Sequence, residues 1–413
     1  MPIEIMSPVG SYESLAAAIH AGAGSVYFGV GKMNMRSRSA ANFTLDDLRK
    51  ITDICRENQV KSYLTVNTII YNDEIDGMQH LLDCAKECGV SAIIASDWAV
   101  ITYCRQIGLE VHISTQCNIT NIEAVRYYAQ YADVVVLGRE VPLWQVADIT
   151  RQIKEQNITG PHGELVRIEI FVHGALCMAV SGKCYLSLDN YNASANRGAC
   201  LQPCRRGYIV KDMESDMELA IDNQYIMSPK DLCTIGFLDK ILTAGVSILK
   251  IEGRGRSAEY VKTTTECYHE AVKAIQEGSF CQEKASAWTE RLRSVFNRGF
   301  WDGYYLGRTL GEWSERYGSQ STTVRTRVGK ITNFFTRLSV AEILIESGEI
   351  HVGDTLLIEG PTTGVYETVV KELRLTTEPI PEAKKGETCS IATEVLVRRG
   401  DQVYKKTWVE DKF

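Results

Sequence analysis

The sequence predicts an α/β protein: a TIM-like (β/α)8 barrel with a cysteine-bearing insertion, followed by a small antiparallel β-barrel. Short apolar runs alternate with amphipathic stretches at intervals of about thirty residues or less, which is the pattern of repeated strand–helix units. Eight such units suit a closed barrel, and no Gly-x-Gly-x-x-Gly turn follows the first run, which argues against an open doubly wound sheet. Beyond residue 326, alternating segments joined by glycine-containing turns replace the helical pattern.

Eight apolar runs are the candidate barrel strands, because each is short and rich in aliphatic residues. In chain order they are Ile3–Met6, Ser25–Val30, Ser62–Asn67, Ala92–Ser96, Glu110–Thr115, Val134–Arg139, Arg167–His173 and Ile248–Gly253. The candidate helices are Tyr12–Ala21, Leu45–Glu57, Ile75–Glu87, Trp98–Gln106, Ile122–Tyr131, Leu143–Gln156, Leu232–Thr243 and Ala258–Gln276. Two of them have capped starts, at Asn42–Asp47 and at Ser257, where a short polar side chain precedes a first turn with carboxylates.

Polar side chains collect at the carboxyl ends of the candidate strands. In a barrel of this kind these ends meet at one face, the barrel mouth, where the chemistry takes place. The residues concerned are Ser7, Asn34, Arg36, Arg38, Asn67, Ser96, Asp97, Gln116, Asn118, Arg139, Glu140, His173, Glu252 and Arg254. We therefore expect the functional site at the mouth.

The length of 413 residues exceeds what one hydrophobic core usually supports, so we expect more than one domain. Residues 1–285 are predicted to form the barrel, and the insertion at 175–225, between the seventh and eighth strands, would lie over its mouth. Residues 286–325 form an aromatic and glycine-rich connector, and residues 326–413 the small β-barrel. The run Val-Gly-Asp-Thr-Leu-Leu-Ile-Glu-Gly in this last part resembles the second-domain barrel of translation factors.

The composition is that of an ordinary globular chain, with 45% hydrophobic and 23% charged residues. The formal net charge of -7 argues against a surface that binds polyanions generally, although it leaves room for a local basic patch. No basic region followed by an apolar core opens the chain, and no apolar run approaches membrane-spanning length. We therefore expect a cytoplasmic protein without a membrane partner, whose thirteen cysteines do not form disulfides.

A cluster of cysteines is the least random feature of the sequence. Cys177, Cys184, Cys200 and Cys204 fall within 28 residues, and Cys233 follows. Zinc sites usually present two close cysteine pairs, whereas only Cys200 and Cys204 are spaced in this way, so an iron–sulfur cluster of the [4Fe–4S] type is favoured over zinc. Which four thiolates bind is open, since Cys233 could replace Cys200 or Cys204. Ordinary buried or redox cysteines are the remaining alternative.

A second constellation is rich in arginine. Arg36, Arg38, Arg139 and Arg254 would converge on the mouth, where guanidinium groups match a carboxylate or phosphate in bidentate fashion. We expect them to bind an anionic substrate together with Asn34 and Gln116. The alternative is that these arginines pair with Glu140 and Glu252 and only tie strand ends together.

Three residues are candidates for acid–base chemistry at the mouth. His173 ends the seventh strand and could act as a general acid or base, although a hydrogen-bonded core histidine is an alternative. Lys230 could work with Asp231, unless the two form an ordinary surface ion pair. Glu252 is the third candidate. The sequence has no Ser-His-Asp motif of hydrolase type, no His-Glu-x-x-His helix and no Gly-x-x-x-x-Gly-Lys loop, which weighs against serine or zinc proteolysis and nucleotide hydrolysis.

The segment from Glu169 to Ser187 resembles the signature of peptidase family U32, the collagenase-like proteins. It reads Glu-x-Phe-x-x-Gly-Ala-Leu-Cys-x-x-x-x-Gly-x-Cys-x-x-Ser. The runs Met-Asn-Met-Arg, Ala-Asn-Arg-Gly-Ala-Cys, Met-Ser-Pro-Lys-Asp-Leu-Cys and Leu-Lys-Ile-Glu-Gly-Arg extend the resemblance over roughly residues 3–310. Within it, Cys177 and Cys184 match the signature, Cys200 and Cys204 match a Gly-x-Cys-x-x-x-Cys-Arg segment, and Cys233 matches a cysteine found in only some members.

The resemblance implies a function in RNA hydroxylation, because bacterial members of the family include RNA and quinone hydroxylation proteins. The implied reaction forms 5-hydroxyuridine at the wobble position of tRNA, with prephenate as co-substrate and an iron–sulfur cluster on the signature cysteines. A protein partner for electron supply is a further expectation. Alternatives are hydroxylation of ribosomal RNA, a metal-dependent collagenase-like peptidase, and a non-catalytic RNA- or ribosome-binding protein.

Overall fold

The computed structural model describes residues 3–38, 42–209, 227–307 and 311–409. Its first sheet contains ten strands: β1 (Glu4–Pro8), β2 (Ser25–Phe28), β3 (Lys61–Val66), β4 (Ala92–Ala95), β5 (Val111–Ile113), β6 (Val134–Val136), β7 (Arg167–Gly174), β8 (Asp231–Cys233), β9 (Ile248–Ile251) and β10 (Phe300–Trp301). Strands β1 to β7 pair in sequence, all parallel, and β9 pairs with both β7 and β1. The eight parallel strands therefore close into a barrel, and the predicted TIM-like fold is confirmed.

The two remaining strands, β8 and β10, lie at the barrel rim. β8 occupies residues that the sequence predicted to be helical. β8 runs antiparallel to the end of β7, with His173 opposite Cys233, and β10 pairs with β8. The predicted helix Leu232–Thr243 is therefore a strand at its start, and the helix itself begins only at Leu238. The reason is tertiary: β7 extends past the barrel rim and presents an edge with which β8 pairs.

The ten helices of the described residues are α1 (Tyr12–His20), α2 (Asp47–Glu57), α3 (Ile75–Cys88), α4 (Trp98–Ile107), α5 (Ile122–Tyr128), α6 (Leu143–Glu155), α7 (Leu186–Tyr191), α8 (Leu238–Thr243), α9 (Ala258–Gln276) and α10 (Gln282–Arg293). Ser257 caps α9 as predicted, accepting a hydrogen bond from the Tyr260 amide. α2 starts two residues later than predicted, because the Asp47 carboxylate accepts bonds from both the amide and the hydroxyl of Thr44. None of the helices in the described residues has the length and apolarity that a membrane crossing requires.

The C-terminal part is antiparallel, as predicted. Its strands are β11 (Thr323–Phe335), β12 (Val340–Ile345), β13 (Glu349–His351), β14 (Thr355–Gly360), β15 (Gly364–Val369), β16 (Leu373–Leu375), β17 (Glu378–Ile380), β18 (Glu382–Lys384), β19 (Thr388–Ala392) and β20 (Gln402–Trp408). Eight of them form one sheet in the order β15-β14-β20-β11-β12-β19-β16-β17, and β13 pairs with β18. This sheet has an apolar core of its own, distinct from that of the barrel.

The sheet packs against the outside of the barrel at α1 and α9. Ala17 and Ala258 of these helices contact Leu357 and Val365 of the sheet in a small buried cluster. Lys406 forms an ion pair of 3.1 Å with Glu259 beside this cluster. The start of α9 therefore lies between the barrel mouth and the C-terminal sheet.

Candidate functional site

The loops that follow β2 and β9 meet at the barrel mouth, as the sequence predicted. Arg36 Nη2 lies 2.8 Å from Glu252 Oε1. The buried side chain of Arg254 donates to Asn34 Oδ1 at 3.0 Å and to Thr65 Oγ1 at 2.8 Å. Five residues from three segments of the chain thus form one bonded group at the mouth.

Glu252 is ionised in this setting and holds one of the arginines. Burial alone would favour its protonated form, but Arg36, and after it Arg256 and Arg139, lower the pKa of Glu252 to about 2. The Glu252 charge raises the pKa of Arg36 in return. Arg36 therefore forms an ion pair that ties two strand ends together, which is the alternative to substrate binding that the sequence left open.

Arg139 and Arg254 differ from Arg36, because no carboxylate pairs with them within the described residues. Arg139 donates to the Ala175 carbonyl oxygen at 3.0 Å and lies 4.0 Å from the centre of the Phe171 ring, while its Nε is buried without a hydrogen-bond partner. Arg254 has only neutral acceptors, and burial lowers its pKa to about 10. Two guanidinium charges at the mouth are thus available to an anion.

Arg38 and Gln116 lie at the margin of this group. Arg38 is exposed, and its backbone amide donates to the Gly198 carbonyl oxygen of the insertion at 3.3 Å. Gln116 lies in the turn after β5 and accepts a 3.0 Å hydrogen bond from Ser114 Oγ, beneath Gly182 of the insertion. Both residues contact the insertion, so their predicted role in substrate binding stays a prediction.

The part of the insertion that the structure describes, residues 175–209, lies over the mouth. It leaves β7 at Gly174 and is bonded to the loops that follow several barrel strands. Arg197 forms an ion pair of 2.7 Å with Glu74, and the Ile69 amide donates to the Asn196 carbonyl oxygen. These bonds hold the described part of the insertion, residues 175–209, across the carboxyl ends of the strands.

Four of the five candidate cysteines lie close together in this insertion. Burial, and after it the neighbouring Cys177, Cys200 and Cys184, raise the pKa of Cys204 to about 11, although Arg205 opposes the shift. The pKa of Cys184 is raised by burial and by Cys177 and Cys200. Cys200 also contributes to the raised pKa of Arg36. The four sulfur atoms therefore form a group that adjoins the arginines of the mouth.

The chemistry of this group fits a metal centre with thiolate ligands. No three of the cysteine sulfur atoms lie within 4.8 Å of one another in the described residues. Sulfur atoms around a tetrahedral zinc ion are about 3.8 Å apart, as follows from a Zn–S bond of about 2.3 Å. The four thiols are thus grouped more loosely than in a closed zinc site. Arg205 lies beside Cys204 and Cys177, where its charge would offset that of bound thiolates.

Cys233 does not join this group. It lies on β8 opposite His173, where burial raises its pKa to about 11, with the Tyr268 side chain beside it. Cys233 contributes to the raised pKa of Cys267 on α9, whereas none of the four cysteines of the insertion is among the causes of the shift of Cys233 itself. The structure therefore separates Cys233 from the other predicted ligands, because β8 carries it back to the barrel rim.

His173 is a core residue in the structure. It is 1% exposed, and the rings of Tyr260, Tyr268 and Phe300 surround it with centroids 5.5 to 6.0 Å away. Burial lowers its pKa to about 3, so the imidazole is neutral at physiological pH. This placement matches the alternative of a core histidine and does not support the predicted acid–base role.

Lys230 and Asp231 do not form the predicted acid–base pair. Lys230 Nζ lies 3.1 Å from Glu312, and the buried Asp231 carboxylate lies 3.2 Å from Arg298. Consecutive residues of an extended chain point to opposite sides, which separates the two side chains. Lys230 is thus held in an ion pair at the rim, and the sequence prediction for this pair is corrected.

Sequence reasoning missed three charged or titratable residues inside the barrel. Lys250 Nζ lies 2.7 Å from Glu169 Oε1, and Glu169 Oε2 faces His112 Nδ1 at 3.6 Å, with all three side chains 6% exposed or less. Burial, opposed by Glu169 and assisted by Arg254 and Arg139, lowers the pKa of Lys250. The sequence did contain a signal for this ion pair: a charged residue in an otherwise apolar strand. Such residues are rarely buried unless they are paired.

A further group of potential ligands lies away from the mouth. Glu349, His351 and Glu382 on the β13–β18 ribbon have ligand atoms within 4.8 Å of one another. Lys384 already pairs with Glu382 at 2.7 Å, and the His351 amide donates to Asp354. These contacts describe a partly exposed network of ion pairs on the C-terminal sheet.

The chain is similar to proteins whose names describe two different activities. A protein named "Collagenase" from Porphyromonas gingivalis is 58% identical over 402 residues, which cover 97% of each chain. A "tRNA hydroxylation protein P" from Helicobacter pylori is 31% identical over 317 residues, or 74% of this chain and 72% of the relative. A 23S rRNA 5-hydroxycytidine synthase from Escherichia coli is 31% identical over 75% of this chain and 46% of the relative.

A sequence profile described as "Peptidase family U32" matches residues 10–315, which include the barrel except for β1, the cysteine insertion and most of the connector. These are the segments that build the mouth. The match covers well over half of the chain, and the protein therefore belongs to peptidase family U32.

Proposed function

We propose that this protein hydroxylates RNA and forms 5-hydroxyuridine at the wobble position of tRNA, with prephenate as the oxygen source. The observation that carries the proposal is the group of four cysteines over the mouth, next to two arginines that have no carboxylate partner in the described residues. Relatives named for tRNA and rRNA hydroxylation, at 31% identity, support the same activity.

The cysteine group is the proposed cluster site. Cys177, Cys184, Cys200 and Cys204 would hold a [4Fe–4S] cluster, which supplies one-electron transfer when bound. The pKa values of the Cys184 and Cys204 thiols are raised, so formation of metal–thiolate bonds by these two residues must release protons. Replacing a C–H bond of the base by C–OH oxidises it by two electrons. These pass either to the oxygen-donating prephenate or to a partner electron carrier, so a protein partner belongs to the proposal.

The arginine group is the proposed prephenate site. Prephenate carries two carboxylates, and the guanidinium groups of Arg139 and Arg254 supply matching charges. Asn34 fixes Arg254, and Glu252 fixes Arg36, so the donors are held in place before the substrate arrives. The buried Lys250 lies near both arginines, but its charge is paired with Glu169. Prephenate bound by these arginines would lie near the cysteine group, because Cys200 interacts with Arg36 of the same mouth.

The described part of the insertion also offers a ring to an unpaired base. Tyr185 follows Cys184 and is 75% exposed, so its face is open for stacking on a nucleobase. The neighbouring Arg205 and Arg206 are engaged within the protein, with the Pro229 carbonyl oxygen and with Tyr191. Lys211, a third basic residue that follows the cysteines in the sequence, lies outside the described residues. We propose that Tyr185 stacks on the target uridine or its neighbour.

Nucleoside mass spectrometry tests this function. RNA from a strain that lacks the gene should lose 5-hydroxyuridine and its derivatives, and the wild-type gene should restore them. Cys184→Ala should reduce the modification by about a hundredfold or more, as loss of a metal ligand does. The matched control is Cys281→Ala, an exposed cysteine at the start of α10. Full modification in the Cys184→Ala strain, or no loss of any hydroxylated nucleoside on deletion, would overturn the proposal.

A collagenase-like peptidase is the second candidate, because the relative named "Collagenase" is 58% identical over nearly the whole chain. Anaerobic purification separates the two functions. A brown protein with bound iron and absorbance near ~400 nm supports the hydroxylase, since thiolate-bound clusters have this property. A colourless protein that cleaves gelatin, and loses this activity when its metal is chelated, supports the peptidase. Deletion of the gene could instead remove 5-hydroxycytidine from ribosomal RNA and leave the tRNA nucleoside intact. The proposed hydroxylation would then stand, with ribosomal RNA as its substrate.

A further inference from the structure

A cavity of about 270 Å³ lies between the barrel and the C-terminal sheet. Its walls come from the turn between β9 and α9, the segment after α10, and the start of β11. Arg256, Phe296, Ser319 and Arg325 are among the residues that line it. This cavity is separate from the barrel mouth, and nothing in the proposed reaction uses it.

The side chains in and beside the cavity include several charged groups. Four cations lie in or beside it, and three of these have a carboxylate partner. The pairs are Arg298 with Asp231 at 3.2 Å, Arg325 with Glu359 at 2.5 Å, and Lys406 with Glu259 at 3.1 Å. Arg256 has no such carboxylate partner among the residues that the structure describes. The cavity therefore contains one cation whose charge is not neutralised by an ion pair.

Arg256 is presented in a way that suits an oxyanion. Its guanidinium carbon lies 3.5 Å from the centre of the Phe296 ring, and Arg298 lies 5.0 Å from the same centre. Stacking occupies the face of a guanidinium and leaves its N–H groups free along the edge. A planar donor edge in a cavity is the arrangement that binds two oxygens of a phosphate.

The cavity adjoins the mouth. Arg256 is close enough to Glu252 to help lower the pKa of that carboxyl. Glu252 in turn holds Arg36 beneath the cysteine group. A polymer bound at the mouth could thus continue into the cavity, which is far larger than a bare ion needs. Among anionic ligands, a phosphodiester with its ribose matches this size and position.

We propose that this cavity binds a backbone phosphate of the RNA substrate, at a position removed from the reacting nucleotide. Arg256 donates to the phosphate oxygens, and Arg325, whose charge is paired with Glu359, lines the cavity as well. This inference rests on the proposed RNA function and extends it to a second contact. Such contacts fix the position of a nucleic acid without reading its sequence.

Binding of an unmodified tRNA transcript to the full-length protein tests the proposal, with fluorescence anisotropy measured over a series of salt concentrations. Arg256→Gln should weaken binding roughly tenfold and make the slope of log K against log salt less steep by about one. Arg49→Gln on the exposed surface of α2 is the matched control. Since Arg256→Gln removes a stacked side chain, Ser319→Glu provides a second variant. It places a carboxylate at an exposed position on the cavity rim, and Ser319→Gln is its neutral control.

The outcomes separate this inference from the proposed function. Equal tRNA affinity and equal salt slope for wild type, Arg256→Gln and Ser319→Glu would overturn the phosphate site while leaving the hydroxylation intact. Binding of inorganic phosphate that depends on Arg256, with unchanged tRNA affinity, would assign the cavity to a small anion and also overturn the proposal. If the wild-type protein binds no tRNA, both the phosphate site and the proposed tRNA function are overturned. Weaker tRNA binding in Arg256→Gln and Ser319→Glu, but not in their controls, supports the site.

Discussion

At the scale of single residues, the mouth contains arginines that hold a carboxylate and arginines that do not. Arg36 is neutralised by Glu252, whereas Arg139 and Arg254 donate to neutral acceptors and have no carboxylate partner among the described residues. The sequence indicated that arginines would converge there, because all of them follow barrel strands. It left their pairing open, since Arg36 and Glu252 lie 216 residues apart and only the closed barrel brings them together.

His173 makes the stability of the barrel depend on pH. Its pKa is about 3 in the folded protein and 6.5 in the unfolded chain, so between these values the unfolded chain binds more protons. The contribution of the neutral, buried imidazole to the free energy of unfolding is fully present above pH 6.5. It decreases as the pH falls toward 3. The free energy of unfolding of the wild-type protein should fall between pH 7.5 and pH 5. In His173→Gln we expect this fall to be smaller by about 2 kcal/mol.

Urea unfolding at the two pH values, followed by circular dichroism, measures this difference. The matched control is His80→Gln, an exposed histidine on α3, which reports the loss of a surface imidazole. If the loss of unfolding free energy between the two pH values is the same in His173→Gln and in wild type, the buried imidazole is not the titrating group.

At the scale of elements, the antiparallel pairing of β7 with β8 clamps the base of the cysteine insertion. Gly174, the last residue of β7, has a φ of 102°, and a Cβ built there would lie 2.5 Å from the Glu252 carbonyl oxygen. This glycine therefore allows β7 and the loop after β9 to approach closely. The strand β8 was not predicted, because its three residues pair only with an edge that the finished barrel provides.

Gly174→Ala should destabilise the protein by roughly 2 kcal/mol or more, since the added methyl overlaps backbone that cannot move freely. It should also displace the insertion and so reduce binding of iron at the proposed cluster site. Gly89→Ala, at the end of α3, is the matched control: it has a φ of 76° but open space around its Cβ position. Thermal unfolding and bound iron per chain measure the two effects. Equal losses in both variants would show that backbone conformation, and not the close approach, is responsible.

At the scale of the whole molecule, two apolar cores are joined through a small buried contact. Val365 of β15 is 7% exposed and packs with Ala17 and Ala258 of the barrel helices. Gly364 comes so close to α1 that a Cβ would lie 2.9 Å from the Ala17 amide nitrogen. The contact holds the C-terminal sheet beside the start of α9. The cavity proposed to bind RNA exists only because of this arrangement.

Val365→Asp should separate the C-terminal sheet from the barrel. Burying an aspartate in this apolar contact would cost about 3 kcal/mol in desolvation. Small-angle X-ray scattering should then show a larger radius of gyration. The control is Val369→Asp, on the same strand but 51% exposed, which should leave the radius unchanged. An unchanged radius in Val365→Asp would mean that other contacts hold the sheet in place.

The sequence by itself determined the barrel, its order of strands and helices, the antiparallel character of the C-terminal part, and the position of the cysteine insertion over the mouth. Periodicity and local signals encode these features within short segments of chain. Only the tertiary structure decided that Cys233 stands apart from the other four cysteines, that Lys230 pairs with Glu312, and that Lys250 and Glu169 share an ion pair inside the barrel. Such partners lie far apart in the chain, and a residue's burial and charge depend on which distant segments fold against it.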